Sequence, residues 1–309
     1  MADIKMAFGD RLETQHLLSG RVPIEGFDIE FTNPGFAPAP TFNDTVTKLA
    51  YDVSELTAAN FIIAKDAGVP LIGLPIVPNV FYPLTGMMVY KEAGIATVQD
   101  LTAKRIAVTT GFASNPAVWL RGILTHQFDV DTEGITWVEG EADSLRGINY
   151  LRNPRYRTEK MADLPARLIG GDVDALIGAG GAGVDSDEVA LLMPDATKEL
   201  EAYFALTNCI PVNTLIVMKQ ESHEKYPGLA EAVIAAADNA HAIYDAEEPN
   251  EGVHQGLNVG SLRKSGLFPR SHGMETLADS FKTLSLYLFE QGHTSKHWTL
   301  EELFIYPNR

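Results

Sequence analysis

Short apolar runs alternate along the chain with stretches whose apolar residues recur at helical spacing. That is the pattern of strands in a largely parallel sheet with helices laid over it. Ile4 to Phe8 predicts a first strand, Gly9-Asp10 a turn into a helix reaching about Leu18, and Phe27 to Phe31 a second strand after the turn at Glu25-Gly26. A Pro- and Gly-rich loop spans Asn33 to Pro40, followed by a helix from Thr41 to Ala50, a short strand from Asp52 to Glu55 and a helix from Ala58 to Lys65. Leu71 to Val77 and Met87 to Tyr90 predict buried strands. After a helical turn at Thr97 to Leu101, a strand from Arg105 to Thr109 runs into Gly111-Phe112-Ala113-Ser114-Asn115-Pro116, which opens a helix to about Gln127. Farther on, Asp163 to Ile169 predicts a helix stopped by Gly170-Gly171, and Val173 to Ile177 a strand entering the glycine tract Gly178 to Gly183. Thr214 to Met218 predicts a strand, Pro227 to about Tyr244 a long amphipathic helix, and Met274 to Gln291 a last helix.

The 309 residues exceed what one core usually supports, and 45% hydrophobic with 21% charged residues is globular composition, so two compact lobes are expected. No apolar run is long enough to span a bilayer, and Met1-Ala2-Asp3-Ile4-Lys5-Met6 lacks the layout of a secretory signal, so a cytoplasmic location is expected. A single cysteine, Cys209, excludes an intrachain disulfide and any cysteine-rich zinc site. The net charge of −17 disfavours nucleic acid and membrane surfaces as partners, which need a basic footprint. A small anion is still compatible, because it feels the nearby helix N-termini and arginines more than remote, screened charge.

Two segments, Thr97 to Val108 and Leu164 to Ala175, are similar to recurring signatures of type II periplasmic-binding-protein folds. More specific are Gly20-Arg21-Val22-Pro23-Ile24-Glu25-Gly26-Phe27-Asp28, Tyr51-Asp52-Val53-Ser54-Glu55-Leu56 and Ala117-Val118-Trp119-Leu120-Arg121-Gly122-Ile123-Leu124. Together with Glu290-Gln291-Gly292 and Glu301-Glu302-Leu303-Phe304, they resemble the 4,5-dihydroxyphthalate decarboxylase family over nearly the whole chain. The chain departs from that pattern at Pro78 to Gly86, where the family tends to carry arginine and histidine, and at Asn213, where a histidine is expected. The resemblance implies an α/β, two-lobed periplasmic-binding-protein type II-like fold with a ligand cleft between the lobes. Two crossings would divide the chain into lobe one at 1–98 and 206–309 and lobe two at 99–205.

Loops at the carboxyl ends of strands line such a cleft, which makes Asp10, Ser54, Asn79, Phe81, Tyr82, Thr110, Ser114, Asn115, Gly180, Asn208 and Asn213 the substrate-binding candidates. Thr110 to Asn115 precede a helix, where free N–H groups favour a carboxylate; plain capping uses the same residues. Arg121 is a candidate for a bidentate grip on a carboxylate, while Trp119, two residues away and so on another face, belongs to the core. Phe81 and Tyr82 offer an aromatic wall or merely pack the hinge. Glu55, at a strand end, and His272, before a helix, are the candidate proton donors; capping is the alternative role for Glu55. The glycines from Gly178 to Gly183 fit neither a dinucleotide fingerprint nor a Walker loop, no Gly-x-Ser-x-Gly elbow exists, and the eight histidines form no convincing zinc motif.

The function implied is cofactor-independent decarboxylation of a hydroxylated aromatic carboxylic acid, with no metal and no organic electron sink. The other reading is a non-catalytic solute-binding or sensor protein for a small anion, since fold does not decide function. In both, the partner is a small, aromatic carboxylate, and a homo-oligomer is allowed for.

Overall fold

The computed structural model describes residues 3–11, 14–35, 39–141, 145–178, 184–247, 253–254, 257–267 and 273–306 of the 309. Along the chain, β1 (Ile4–Ala7), α1 (Thr14–Leu18), β2 (Ile29–Thr32), α2 (Ala39–Lys48), β3 (Val53–Thr57), α3 (Ala58–Asp66) and β4 (Leu71–Val80) come first. β5 (Met88–Tyr90), β6 (Arg105–Val108), α4 (Asn115–Phe128), β7 (Thr136–Glu139), β8 (Arg157–Lys160), α5 (Leu164–Ile169), β9 (Ala175–Ile177) and β10 (Val189–Leu191) follow. Then come α6 (Ala196–Thr207), β11 (Val212–Lys219), α7 (Gln220–Lys225), α8 (Leu229–Glu247) and a two-strand ribbon, β12 (Val253–His254) with β13 (Leu257–Asn258). The chain closes with α9 (Val259–Lys264), α10 (Met274–Glu290) and α11 (Leu300–Leu303).

The strands form two sheets, ordered β2-β1-β3-β11-β4 and β10-β5-β9-β6-β7-β8. In the first, β2, β1 and β3 are parallel, and β11 returns from the second lobe to lie antiparallel between β3 and β4. In the second, β9, β6, β7 and β8 are parallel, with β5 antiparallel at the side of β9. The hydrogen bonds of β5 put Met88–Tyr90 in the second sheet, so the chain first passes from one sheet to the other between Val80 and Met88. The return precedes Val212, where Phe81 N–H donates to the Pro211 carbonyl (3.0 Å) and ties the two crossings together.

α3 and α4 carry little amphipathic signal because they are buried on nearly every side: Ala58 to Ala64 and Asn115 to Leu124 are all buried. α10 packs on both, so one apolar cluster runs from Phe61 and Ile62 through Trp119 and Leu120 to Phe281 and Leu284. Gly122 permits this, since a Cβ there would lie 2.0 Å from the Tyr287 ring. A second cluster joins the other face of sheet one to α8 and α1. Among the described residues no helix is long and apolar enough to cross a membrane.

Candidate functional site

The seam between the lobes is built where β3 turns without a loop into α3 and meets the start of α4. Asn115, buried, holds it shut: its Oδ1 accepts from the Ala59 N–H (3.0 Å), and its Nδ2 donates to the Val212 carbonyl (2.8 Å) and to Asn213 Oδ1 (3.3 Å). Trp119 Nε1 donates to the same Val212 carbonyl (2.9 Å). Two helix N-termini therefore face one seam, one from each lobe.

Both N-caps, Thr57 and Ser114, have extended backbones, yet neither side chain makes a capping bond. Thr57 Oγ1 and Ser114 Oγ are buried with no hydrogen-bond partner among the described residues, as is Oγ1 of Thr214, the residue opposite Thr57 on β11. Buried hydroxyls are normally paired, so the orphans at the two helix starts make this seam a candidate place for another molecule. The void beside Ser114 is ≈ 10 Å³ and is lined by Asn60, Thr110, Glu139 and Tyr150. That is room for about one water, or one carboxylate oxygen, rather than a ring. On its far wall Glu139 accepts from the Phe112 N–H (3.0 Å) and from Arg152 Nη2 (3.0 and 3.2 Å), while Arg152 Nε donates to the Tyr150 hydroxyl (3.3 Å).

A second polar group sits on lobe one. Glu55 is 1% exposed; its Oε2 accepts from the Gly9 N–H (2.8 Å), and its Oε1 accepts from Arg11 Nε (3.2 Å) with Arg11 Nη2 at 3.2 Å. A Cβ on Gly9 would stand 2.7 Å from Glu55 Oε2, so only glycine lets that carboxylate in. Ser54 points the other way, sharing a 2.8 Å hydrogen bond with Thr45 of α2.

Several other substrate-binding candidates have partners within the protein. Arg121 is fully buried: Nε donates to Gln291 Oε1 (2.7 Å), Nη2 to the Phe112 carbonyl (2.8 Å), and Nη2 lies 3.1 Å from His293 Nε2. The guanidinium lies over Phe112 (3.9 Å to the ring centroid) and near Trp137 (5.2 Å) and Tyr156 (5.6 Å), and its Nη1 is buried with no hydrogen-bond partner among the described residues. Burial pushes its pKa down to about 9, and burial together with the Arg121 charge pushes His293 down to about 3. Phe81 and Tyr82 are buried as well; Tyr82 packs on Tyr203 (6.3 Å), and desolvation raises its phenol pKa. Asn208 is the left-handed C-cap of α6 and donates to Asp279 (2.8 Å). Asp10 is exposed, its N–H donating to the Gly35 carbonyl (3.0 Å), and Asn79 is buried on β4 opposite Thr214. Gly180 and His272 lie outside the described residues.

Thr57, Asn60, Arg11, Glu139 and Tyr150 were not singled out from sequence. For Thr57 the signal is its place just before Ala58, obscured by ending the strand at Glu55; β3 runs two residues farther. Among the described residues no cluster of three or more His, Cys, Asp or Glu converges as a metal site.

The architecture is that of a two-lobed periplasmic-binding-protein type II-like protein. Its solved neighbours include the periplasmic aliphatic sulphonate binding protein SsuA of Escherichia coli, with TM-score 0.60, 16% identity and coverage of 98% of this chain and 97% of that one. The alkanesulfonate-binding protein SsuA of Xanthomonas axonopodis pv. citri bound to MOPS has TM-score 0.55, 16% identity and coverage of 100% and 98%. By sequence the chain is related to proteins named 4,5-dihydroxyphthalate decarboxylase. The one from Comamonas testosteroni is 24% identical over 255 residues, 78% of this chain and 75% of that protein. The one from Pseudomonas putida is 27% identical over 184 residues, 57% of this chain and 70% of that protein. No family model matches the chain. The resemblance seen in the sequence is thus matched twice, by sequence in the relatives and by fold in the neighbours.

Proposed function

We propose that the chain holds a small organic anion at the seam and removes carbon dioxide from a hydroxylated aromatic carboxylic acid. The observation that carries the anion is the set of buried, unpartnered hydroxyls of Ser114 and Thr57 at two facing helix starts. The chemistry is supported by the relatives' name.

A ring hydroxyl para or ortho to the carboxylate pushes electrons toward the carbon bearing CO₂⁻. That carbon takes a proton, the carbon–carbon bond breaks, carbon dioxide leaves, and the bonding pair restores aromaticity. Ser114 and the N–H groups at the start of α4 hold the carboxylate, and closure excludes water. The proton must come from the cleft. Both oxygens of Glu55 are committed to Gly9 and Arg11, and those of Glu139 to Phe112 and Arg152. Tyr150, whose oxygen accepts from Arg152 and which lines the same void as Ser114, is the proton donor in this reading.

The test is carbon dioxide release from 4,5-dihydroxyphthalate and 3,4-dihydroxybenzoate by the purified chain without added cofactor. Ser114→Ala should raise KM, while Tyr150→Phe should lower kcat by about 10²–10⁴ with binding retained. The binding-protein reading is favoured by the commitment of both glutamates; tight binding without carbon dioxide from any acid would establish it instead.

A further inference from the structure

We infer that the cavity walled by the C-terminal half of α4, the end of α10 and the loop between α4 and β7 is a second ligand site, and that it takes a free α-amino acid. It lies apart from the seam and does not depend on what the seam holds.

The cavity measures ≈ 290 Å³, against ≈ 10 Å³ beside Ser114. A void of about 150 Å³ already admits a molecule the size of benzene, so an amino acid fits here with its side chain. Thr125 of the wall stands about 16 Å along α4 from Ser114, at about 1.5 Å per residue, too far for one small molecule to touch both.

Charge is divided between the inner and outer sides of the wall. On the inner side is Arg121, whose Nε is spent on Gln291 (2.7 Å) and whose Nη2 is spent on the Phe112 carbonyl (2.8 Å) and lies 3.1 Å from His293 Nε2. Its Nη1 is buried with no hydrogen-bond partner among the described residues. Gln291 and Tyr156, whose ring centre lies 5.6 Å from the guanidinium, belong to the same wall, so the head group and not the stem alone backs the cavity. A sealed guanidinium nitrogen without an acceptor is costly, and a carboxylate oxygen is the acceptor that suits it best. Tyr156 is only partly buried, and a turn of its side chain, of the kind common on binding, brings that oxygen to Nη1.

On the outer side are three carboxylates, Asp131, Glu133 and Glu290. Glu290 pairs with His126 (2.7 Å) and Glu133 with Arg155 (3.0 Å), every side chain of the two pairs being more than a third exposed. Asp131 is exposed, and its Oδ1 accepts from the Glu133 and Gly134 N–H groups (3.1 Å each). A plain anion would have to pass three acids, while a plain cation would leave Nη1 unmet and stand against the Arg121 charge. A molecule with a carboxylate at one end and an ammonium at the other answers both sides.

The full chain is screened by thermal shift against the standard α-amino acids at millimolar concentration. The one that stabilises it most is then titrated by calorimetry beside its carboxamide and its des-amino acid. The zwitterion should bind at least about tenfold more tightly than either truncated form. Arg121→Met should weaken the amino acid about ten- to a hundredfold and leave the carboxamide within about twofold, while Asp131→Asn and Glu290→Gln should each loosen the amino acid about three- to tenfold. Thr125→Trp, at an exposed position of the wall, fills the space and should abolish binding with the fold intact, whereas Ser114→Ala at the seam should leave the affinity unchanged. Retained binding in Thr125→Trp overturns the proposal, as does equal affinity for the zwitterion and the des-amino acid. Loss of binding in Ser114→Ala with Arg121→Met unchanged would place the amino acid at the seam and overturn it too. A screen in which no amino acid binds does the same. Should Arg121→Met fail to fold, the two truncated forms and Thr125→Trp decide by themselves.

Discussion

Arg121 and Arg11 are two shielded arginines whose charge is met in opposite ways. Among the described residues Arg121 makes no salt bridge: rings, the Phe112 carbonyl, Gln291 and the neutral His293 surround it. Arg11 is ion-paired with a sealed carboxylate, Glu55, and its side chain is 11% exposed. A cation ringed by aromatic faces is locked, since any movement strands a charge in low dielectric. A cation backed by a buried acid is oriented by that acid. The difference separates a charge met by rings from one met by a carboxylate.

The largest effect that breaks this contrast is expected from Arg121→Ala. It leaves Gln291 Oε1, the Phe112 carbonyl and His293 Nε2 without their donor and opens a void, a loss of about 3–5 kcal/mol by urea unfolding. Arg121→Met, which fills the space without a charge to desolvate, should cost clearly less. Equal losses would mean that the bonds matter and the buried charge does not.

Acid should act through His293 next. Its folded pKa, about 3, lies below the ordinary value of 6.5, so the unfolded chain takes up a proton first as pH falls. Stability from this group is complete above 6.5, falls as pH drops toward 3, and is flat below; between pH 6.5 and 4.5 the loss is about 2–3 kcal/mol. Unfolding at those two pH values, compared with His293→Gln, isolates it. A variant with the same slope as the parent would assign the loss to other groups.

Gly122→Ala pushes α4 from Tyr287 of α10 and should cost about 1–3 kcal/mol, read as a lower thermal midpoint with the Arg11 pair untouched. The smallest effect belongs to an ion pair with neither burial nor a ligand. Arg21 and Glu247 are about half exposed, and Arg21→Gln should leave the midpoint unchanged.

Much of the fold was legible beforehand because its signals are local. The strand at Arg105, the turn through Gly111 and the helix from Asn115 follow from an apolar run, small residues and Pro116 in the first turn. β8 escaped notice because Arg157–Lys160 is exposed throughout and has no apolar alternation to read. Ser114 and Asn115 were legible as a helix start. That Asn115 would spend its amide on closing the lobes was not, because Val212 lies 97 residues away.

The residues alone determined most of the order of strands and helices, two lobes and the starts of the buried helices. These depend on spacing and backbone preference within a turn or two. Only the tertiary structure decided which partners each arginine meets. Arg121 meets Gln291 across 170 residues and Glu55 meets Arg11 across 44, and a charged side chain turns toward whichever acceptor the packed fold brings within reach.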